Sequence, residues 1–145
     1  MAFLLDTNVI SETVRPRPDK TVLHWIEAQT PSDLFLAAQS IGELVRGVRK
    51  VREQARRERF ARWIEQDLAR QFDGRILPFD ASAAAVWGRL MGNGDRTGHR
   101  PSAADAQIAA AAIQHDLTLV TRNVKDFRSF DIQLLDPWQH PEGGQ

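Results

Sequence analysis

The stretch Phe3-Leu4-Leu5-Asp6-Thr7-Asn8 joins a short apolar run to a polar helix start, and the same outline recurs along the chain. Residues 34–43 read LFLAAQSIGE, and residues 117–126 read LTLVTRNVKD. Runs that are apolar on both faces are typical of central strands in a parallel sheet. Their alternation with helical patterns predicts an α/β fold, with right-handed crossovers and helices on both faces of the sheet.

Four acidic residues are expected where strand-like runs give way to helix starts: Asp6, Glu43, Asp105 and Asp126. The carboxyl ends of parallel strands face one crevice, so the four side chains should lie together at one edge of the sheet. Four carboxylates repel one another unless cations lie among them. Oxygen donors without His or Cys favour Mg²⁺, with Mn²⁺ as a substitute, over zinc or copper.

The expected roles differ between the acids. Asp6 and Asp105 are the expected primary metal ligands, while Glu43 and Asp126 would bind directly, bind through water or orient the attacking water. Neutral oxygens and donors beside them come from Thr7, Asn8, Thr121 and Asn123.

Helix capping is the structural alternative for three of these acids. Ser40-x-x-Glu43 and Ser102-x-x-Asp105 match a capping box, and Asn123-x-x-Asp126 resembles one. Asp6 follows a buried strand and lacks such a pattern, although Asp6-Thr7-Asn8 could still be a turn that starts a helix. Helix N-termini should also lower the pKa of these carboxyl groups and keep them ionised. Four caps need not share one edge of one sheet, so their joint placement favours a metal site.

Further along, the pattern predicts one domain over residues 1–140, with about 4–5 short strands, and a disordered tail at 141–145. Strands are expected near residues 2–5, 34–38, 75–79, 118–121 and 132–135, with Pro78 marking an edge strand. An alanine-rich helix should span 103–114. Residues 92–101, with three glycines, are expected to form a mobile loop.

The composition excludes several classes of protein. The chain has 145 residues, 19 acidic and 19 basic residues and no cysteine. A disulfide framework and a thiolate zinc site are therefore excluded. The N-terminal apolar run is too short for a signal peptide, and no window approaches a membrane span. A soluble cytoplasmic protein without membrane contact is expected.

Residues 46–62 carry eight basic residues against only Glu53 and Glu58. They could form a solvated helix face with pairs such as Glu53–Arg57, or a surface that binds phosphates. The expected phosphate contacts are Arg46, Arg49 and Lys50, with Arg96 and Arg100 as a second group.

In combination, these motifs resemble PIN-domain ribonucleases. The resemblance is carried by Asp6-Thr7-Asn8, by Ser40-Ile41-Gly42-Glu43-Leu44, by the D-x-x-IAA helix at Asp105 and by Thr121-Arg122-Asn123-x-x-Asp126-Phe127. More narrowly, residues 6–12, 87–90 and 136–138 resemble the FitB-like branch of VapBC-type toxins. The match covers residues 3–138.

The resemblance implies that Asp6, Glu43, Asp105 and Asp126 are the catalytic acidic quartet, with Thr121 and Asn123 as polar neighbours. It also implies a metal-dependent endoribonuclease toxin that forms a homodimer and is blocked by a cognate antitoxin. A larger toxin–antitoxin assembly would bind operator DNA through the antitoxin. Gln39-Ser40-Ile41 departs from the family pattern, because one hydroxyl stands where two are expected.

Other functions remain as alternatives. A haloacid-dehalogenase-type phosphatase needs a second Asp where this chain has Asn8, and a phospho-receiver domain needs a lysine after a late strand. A PIN fold that only binds a partner protein, without catalysis, would have to explain an intact quartet.

Overall fold

The central sheet is parallel throughout. The computed structural model describes residues 1–139, so the predicted tail at 141–145 lies outside the described residues. Five strands lie in the order β3-β2-β1-β4-β5. They are β1 (Phe3–Leu5), β2 (Leu34–Ala37), β3 (Ile76–Leu77), β4 (Thr118–Val120) and β5 (Leu134–Leu135). The prediction of a mainly parallel sheet of 4–5 short strands is confirmed.

Helices connect and cover the strands. They are α1 (Thr7–Glu12), α2 (Lys20–Glu27), α3 (Ala38–Arg49), α4 (Gln54–Arg62), α5 (Ala69–Gln71), α6 (Ala81–Thr97), α7 (Ala103–His115) and α8 (Val124–Phe127). A π-helical stretch, Trp63–Leu68, joins α4 to α5. Within residues 1–139, no helix is long and apolar enough to span a membrane.

The register of the strands brings their carboxyl ends to one edge. Leu4 pairs with Phe35 of β2 and with Leu119 of β4. At the end of β1, the Asp6 N–H still donates to the Val120 carbonyl at 2.9 Å. The residues that follow β1, β2 and β4 therefore emerge side by side.

Two apolar cores cover the two faces of this sheet. Phe3 and Leu5 pack with residues of α1, α2, α3 and the π-helical stretch on one face. Leu4 faces the other way and packs against α7, as the alternation of side chains along a strand requires. The α7 residues of this core are mostly alanines: Ala106, Ala109, Ala111 and Ala112, with Ile108. Small side chains let α7 approach the sheet closely.

The loop predicted for residues 92–101 is wrong. Helix α6 continues through Gly92 and Gly94 to Thr97, and Gly98 ends it with φ of 82°. A glycine is needed at Gly94 because the returning chain packs on it: a Cβ there would lie 2.7 Å from Pro101 Cδ and 3.0 Å from the His99 carbonyl oxygen. The glycines therefore mark a close turn between α6 and α7.

Other sequence predictions of element positions are closer. Strand β3 lies at an edge of the sheet, as Pro78 indicates, but has only two residues. Helix α7 spans Ala103–His115, against a predicted 103–114. Helix α3 begins at Ala38, two residues before the predicted start at Ser40.

The two glycines inside α6 give a matched test of this packing. Gly94→Ala should lower the free energy of unfolding by about 1–3 kcal/mol, because the new methyl group overpacks a tight contact. Gly92→Ala has open space around it and should raise stability by up to about 1 kcal/mol through helix propensity. Urea denaturation of both variants measures the difference. Equal gains in stability would show that the α6–α7 turn is loosely packed.

Candidate active site

Asp6 is fixed by hydrogen bonds from two elements. It follows β1 and is the N-cap of α1, and its side chain is 8% exposed. One carboxylate oxygen accepts from the Thr7 N–H at 2.8 Å, and the other accepts from the Thr121 hydroxyl at 2.8 Å. The alternative that Asp6-Thr7-Asn8 is a turn that starts a helix is therefore confirmed. Asp6 caps α1 and also faces the other acids.

Thr121 is the hub of the polar residues around Asp6. It is fully buried, and its Oγ1 accepts from the Asn123 N–H at 3.1 Å and from Asn8 Nδ2 at 3.4 Å. With the proton donated to Asp6, the hydroxyl uses its one donor and two acceptor positions. Asn8 Oδ1 also accepts from the Arg122 N–H at 3.3 Å. The polar neighbours expected from the sequence lie together here.

Asp105 reaches the same edge by another route. It lies in the first turn of α7, where Ser102 is the N-cap and accepts from the Asp105 N–H at 3.1 Å. The predicted capping box is confirmed in this bond. However, α7 follows α6 and not a strand, so the expectation that all four acids follow strands is wrong for Asp105. Because α7 ends just before β4 begins, its start lies at the carboxyl edge of the sheet.

Glu43 lies in the second turn of α3; the residue as a whole is exposed, while its carboxyl group is partly desolvated. The capping box predicted for Ser40 is wrong, since Ala37 is the N-cap and Ser40 lies inside the helix. The hydroxyls of Ser40 and Thr7 are buried, and neither has a hydrogen-bond partner within residues 1–139. The Thr7 hydroxyl lies close enough to Glu43 to lower the pKa of that carboxyl group, although burial has the larger, opposite effect.

Asp126 lies on the short helix α8 and is exposed. Its N–H donates to the Asn123 carbonyl at 3.0 Å, but the Asn123 side chain makes no capping bond. The capping pattern at Asn123 is therefore formed by the main chain only.

The four carboxylates share one electrostatic environment. Burial raises the pKa of Asp6, and Asp105 and Asp126 raise it further against the bonds from Thr121 and Thr7. Burial and then Asp126 raise the pKa of Asp105, while burial, Asp6 and Asp105 raise that of Glu43. The expectation that helix N-termini lower these pKa values is wrong for these three groups, because desolvation and mutual repulsion dominate.

The donor chemistry of the crevice fits a hard divalent cation. It offers carboxylate oxygens and the buried Thr7 hydroxyl, which are ligands that Mg²⁺ and Mn²⁺ accept. Within residues 1–139, no three acidic, His or Cys side chains already form a closed ligand set. Glu43 and Asp126 are exposed and can move toward an ion, whereas Asp6 is held in place.

A groove of about 500 Å³ continues from the crevice between α1, α3 and α4. Thr7 and Glu43 lie at one part of it, and much of its lining is apolar: Val14, Leu44, Val48, Val51, Phe60 and Ile64. Arg15 and Arg56 also line the groove. It therefore joins an anionic crevice to an apolar surface with cationic margins.

The predicted phosphate-binding residues lie at two separate places. Arg46, Arg49 and Lys50 are exposed at the end of α3. Arg96 lies on the last turn of α6 and donates to Asn93 Oδ1 at 3.5 Å. Arg100 follows α6 and pairs with Asp95 at 3.1 Å. Arg57 donates to the carbonyl groups of Val51 and Arg52, and thereby ties α4 to the preceding loop.

Two residues near the site were missed in the sequence. Glu12 is 5% exposed and accepts from the Asp19 N–H at 2.8 Å and from Arg15 at 3.4 Å, so it fixes the loop after α1. Arg122 lies over the indole of Trp138, 4.9 Å from the ring centroid. Both residues lie in motifs that carry the family resemblance, Glu12 in residues 6–12 and Arg122 beside Thr121.

The PIN domain family matches residues 3–133 of this chain. The chain belongs to this family. Toxin FitB of Neisseria gonorrhoeae is 38% identical over 136 residues, which cover 94% of this chain and 98% of FitB. The VapC ribonuclease Y4jK of Sinorhizobium fredii is 35% identical over 137 residues, with 94% and 98% covered. These relatives place the chain in the toxin branch of the PIN domains, and not among phosphatases or receiver domains.

Solved structures show the same relationship. FitAcB from Neisseria gonorrhoeae contains a chain that superposes with a TM-score of 0.89 at 37% identity, covering 94% of this chain and 99% of that one. In a structure of FitAB bound to an IR36 DNA fragment, the TM-score is 0.88 at 35% identity, with 97% and 99% covered.

In the absence of metal, the repulsion among the crevice carboxylates should lower the free energy of unfolding. A carboxyl group whose pKa is raised by folding stabilises the native state below its unfolded-state pKa, and this contribution is lost as pH rises through the native pKa. Asp105→Asn should therefore match the parent protein at low pH and become the more stable of the two at pH 7.

Urea denaturation in a chelator, repeated across this pH range, measures the effect, and the control is Asp67→Asn, which alters an exposed residue of the π-helical stretch. A variant that is less stable than the parent at every pH would show that Asp105 is primarily a structural residue of α7.

Proposed function

We propose that this protein is an endoribonuclease toxin, which hydrolyses RNA phosphodiester bonds with the help of a divalent cation and is neutralised by a cognate antitoxin. The observation that carries the proposal is the convergence of four electrostatically coupled carboxylates at the carboxyl edge of a PIN-domain sheet. The names of the relatives FitB and Y4jK, a toxin and a ribonuclease, support the same activity.

The four acids are proposed to have different roles, according to how firmly the structure holds each side chain. Asp6 and Asp105 would hold the cation, Asp6 because the bonds from Thr7 and Thr121 fix both of its oxygens. Each of these oxygens keeps a lone pair for a metal. Glu43 and Asp126, which are exposed, would bind through water or orient the attacking water. A bound Mg²⁺ or Mn²⁺ would supply a nucleophilic water near neutral pH and neutralise charge on the phosphoryl group.

Hydrolysis also requires the anionic RNA to approach an anionic crevice. Arg46 lies three residues after Glu43 on α3, so the two side chains are neighbours on one helix surface. Arg46, Arg49 and Lys50 would therefore bind phosphates beside the crevice. Arg96 and Arg100 stay as weaker proposals, because each already has a side-chain partner.

Cleavage of RNA tests this function directly. The parent protein should cut RNA in Mg²⁺ or Mn²⁺, lose activity in excess chelator and regain it when the metal is restored. Outer-sphere partners of metal ligands typically contribute about 10–100-fold, so Thr121→Val should lower the rate by that order and Asp6→Asn by more. Asp67→Asn serves as the control for both.

The rate is measured with a labelled RNA, and the melting temperature with and without Mg²⁺ is measured in parallel. Parent protein that binds RNA or a partner but never cuts RNA, with metal supplied, would favour the non-catalytic partner-binding alternative.

The antitoxin is proposed to bind in the groove between α1, α3 and α4. The apolar lining suits an apolar segment of a partner protein, and the acidic crevice at its end suits an arginine, whose planar fork binds carboxylates. FitAB has been solved in complex with DNA; by analogy, the antitoxin of this chain would carry the toxin to operator DNA. We also propose a homodimer, which sedimentation of the purified protein tests.

A substitution in the antitoxin should affect its inhibition of the toxin and its affinity for the toxin to different extents. Neutralising the antitoxin residue that reaches Asp6, Glu43 and Asp105 should weaken inhibition more than affinity, because most of the affinity would come from the apolar groove. Titration of RNA cleavage and calorimetry give the two quantities. A substituted antitoxin that inhibits as before would show that occlusion by the rest of the segment is sufficient.

A further inference from the structure

The motif Asp136-Pro137-Trp138 builds a turn that presents the Trp138 indole next to the active site. Asp136 Oδ1 accepts from the Trp138 N–H at 2.9 Å, and the Asp136 carbonyl accepts from the Gln139 N–H at 3.2 Å. Pro137 is fully buried, and Trp138 packs against the core that contains Phe3 and Leu5. The turn follows β5 and therefore lies at the carboxyl edge of the sheet. One face of the indole is supported by the core.

Arg122 lies on this indole and is fixed at its main chain by the site itself. It stands between Thr121 and Asn123, and its N–H donates to Asn8 Oδ1. Its guanidinium lies 4.9 Å from the Trp138 ring centroid, and the residue is exposed. Both ends of Arg122 are therefore held, the main chain by the polar network around Asp6 and the side chain by the aromatic ring.

The guanidinium is close to the acids in sequence and yet does not neutralise them. The ion pairs recorded for arginines in residues 1–139 are Arg15–Glu12 and Arg100–Asp95. The cation thus lies beside the crevice and leaves the carboxylates free.

Stacking also leaves the hydrogen-bonding edge of the guanidinium available. A cation–π contact uses the face of the planar group, whereas its N–H donors point outward in the plane and match the oxygens of a phosphate. Arg with an aromatic ring is also a combination that binds single-stranded nucleic acids. A preorganised arginine loses less conformational freedom when it binds an anion.

We propose that Arg122 binds a phosphate of the substrate RNA next to the phosphodiester that is cut, and that Trp138 is a positioning residue that holds Arg122 for this contact. The proposal rests on the proposed ribonuclease function. It adds a cationic substrate-binding residue to the segment that supplies Thr121 and Asn123.

The test compares Arg122→Gln, Arg122→Lys, Trp138→Leu and the double variant Arg122→Gln/Trp138→Leu. The control is Arg70→Gln, which alters an exposed arginine on α5, before β3 and thus toward the opposite edge of the sheet. Cleavage of a labelled single-stranded RNA gives kcat and KM over a series of salt concentrations. RNA affinity is measured by fluorescence anisotropy in an Asp6→Asn background, and melting temperatures show that each variant is folded at the assay temperature.

Arg122→Gln should raise KM and weaken RNA binding on the order of tenfold, as expected for a charged hydrogen bond. The slope of log affinity against log salt should become less steep by about 0.7, the value for one phosphate contact on a single strand. Arg122→Lys should keep the slope but lose part of the affinity. Trp138→Leu should weaken binding by about 2–5-fold, and this loss should vanish in the Arg122→Gln background.

Arg122→Gln with unchanged KM and salt slope would overturn the proposal, even if its melting temperature falls, because a purely structural role would not move the salt slope. Losses that add fully in the double variant would overturn the role of Trp138. Absence of RNA cleavage by the parent protein would instead be a failure of the proposed function, and it would be seen before any variant is compared.

Discussion

The hydrogen bond from the Thr121 hydroxyl to Asp6 is the interaction on which the site depends. It joins the end of β4 to the end of β1, 115 residues apart in the chain. Because Thr121 is fully buried and its oxygen also accepts two N–H groups, the bond cannot rotate freely. The Asp6 carboxylate is thus held in one orientation, and Asp105 and Asp126 lie close enough to act on it electrostatically.

Repulsion among the acids is the cost of this arrangement. Burial and neighbouring carboxylates raise the pKa of Asp6, Glu43 and Asp105, so the ionised crevice destabilises the folded protein when no cation is bound. The fold offsets this cost elsewhere, with an apolar core on each face of the sheet. A well-packed scaffold that carries a site with unfavourable electrostatics is the arrangement expected of functional sites.

The sequence predicted the sheet and the identity of the clustered acids because both depend on local signals. Apolar runs such as Phe3–Leu5 mark buried strands, and parallel strands must end at a common edge. It failed where long-range contacts decide. Nothing local shows that Gly94 packs against Pro101, or that Asp105 lies on a helix with no preceding strand. The pKa shifts were also mispredicted, since desolvation depends on the whole fold.

The alanine face of α7 has a consequence for the width of the crevice. Asp105 lies on α7, which packs against the sheet through the methyl groups of Ala106, Ala109 and Ala112, all of them buried. The packing distance between α7 and the sheet therefore helps to determine how far Asp105 lies from Asp6. A larger side chain in this alanine layer would therefore change the separation of the two carboxylates without altering any residue of the crevice.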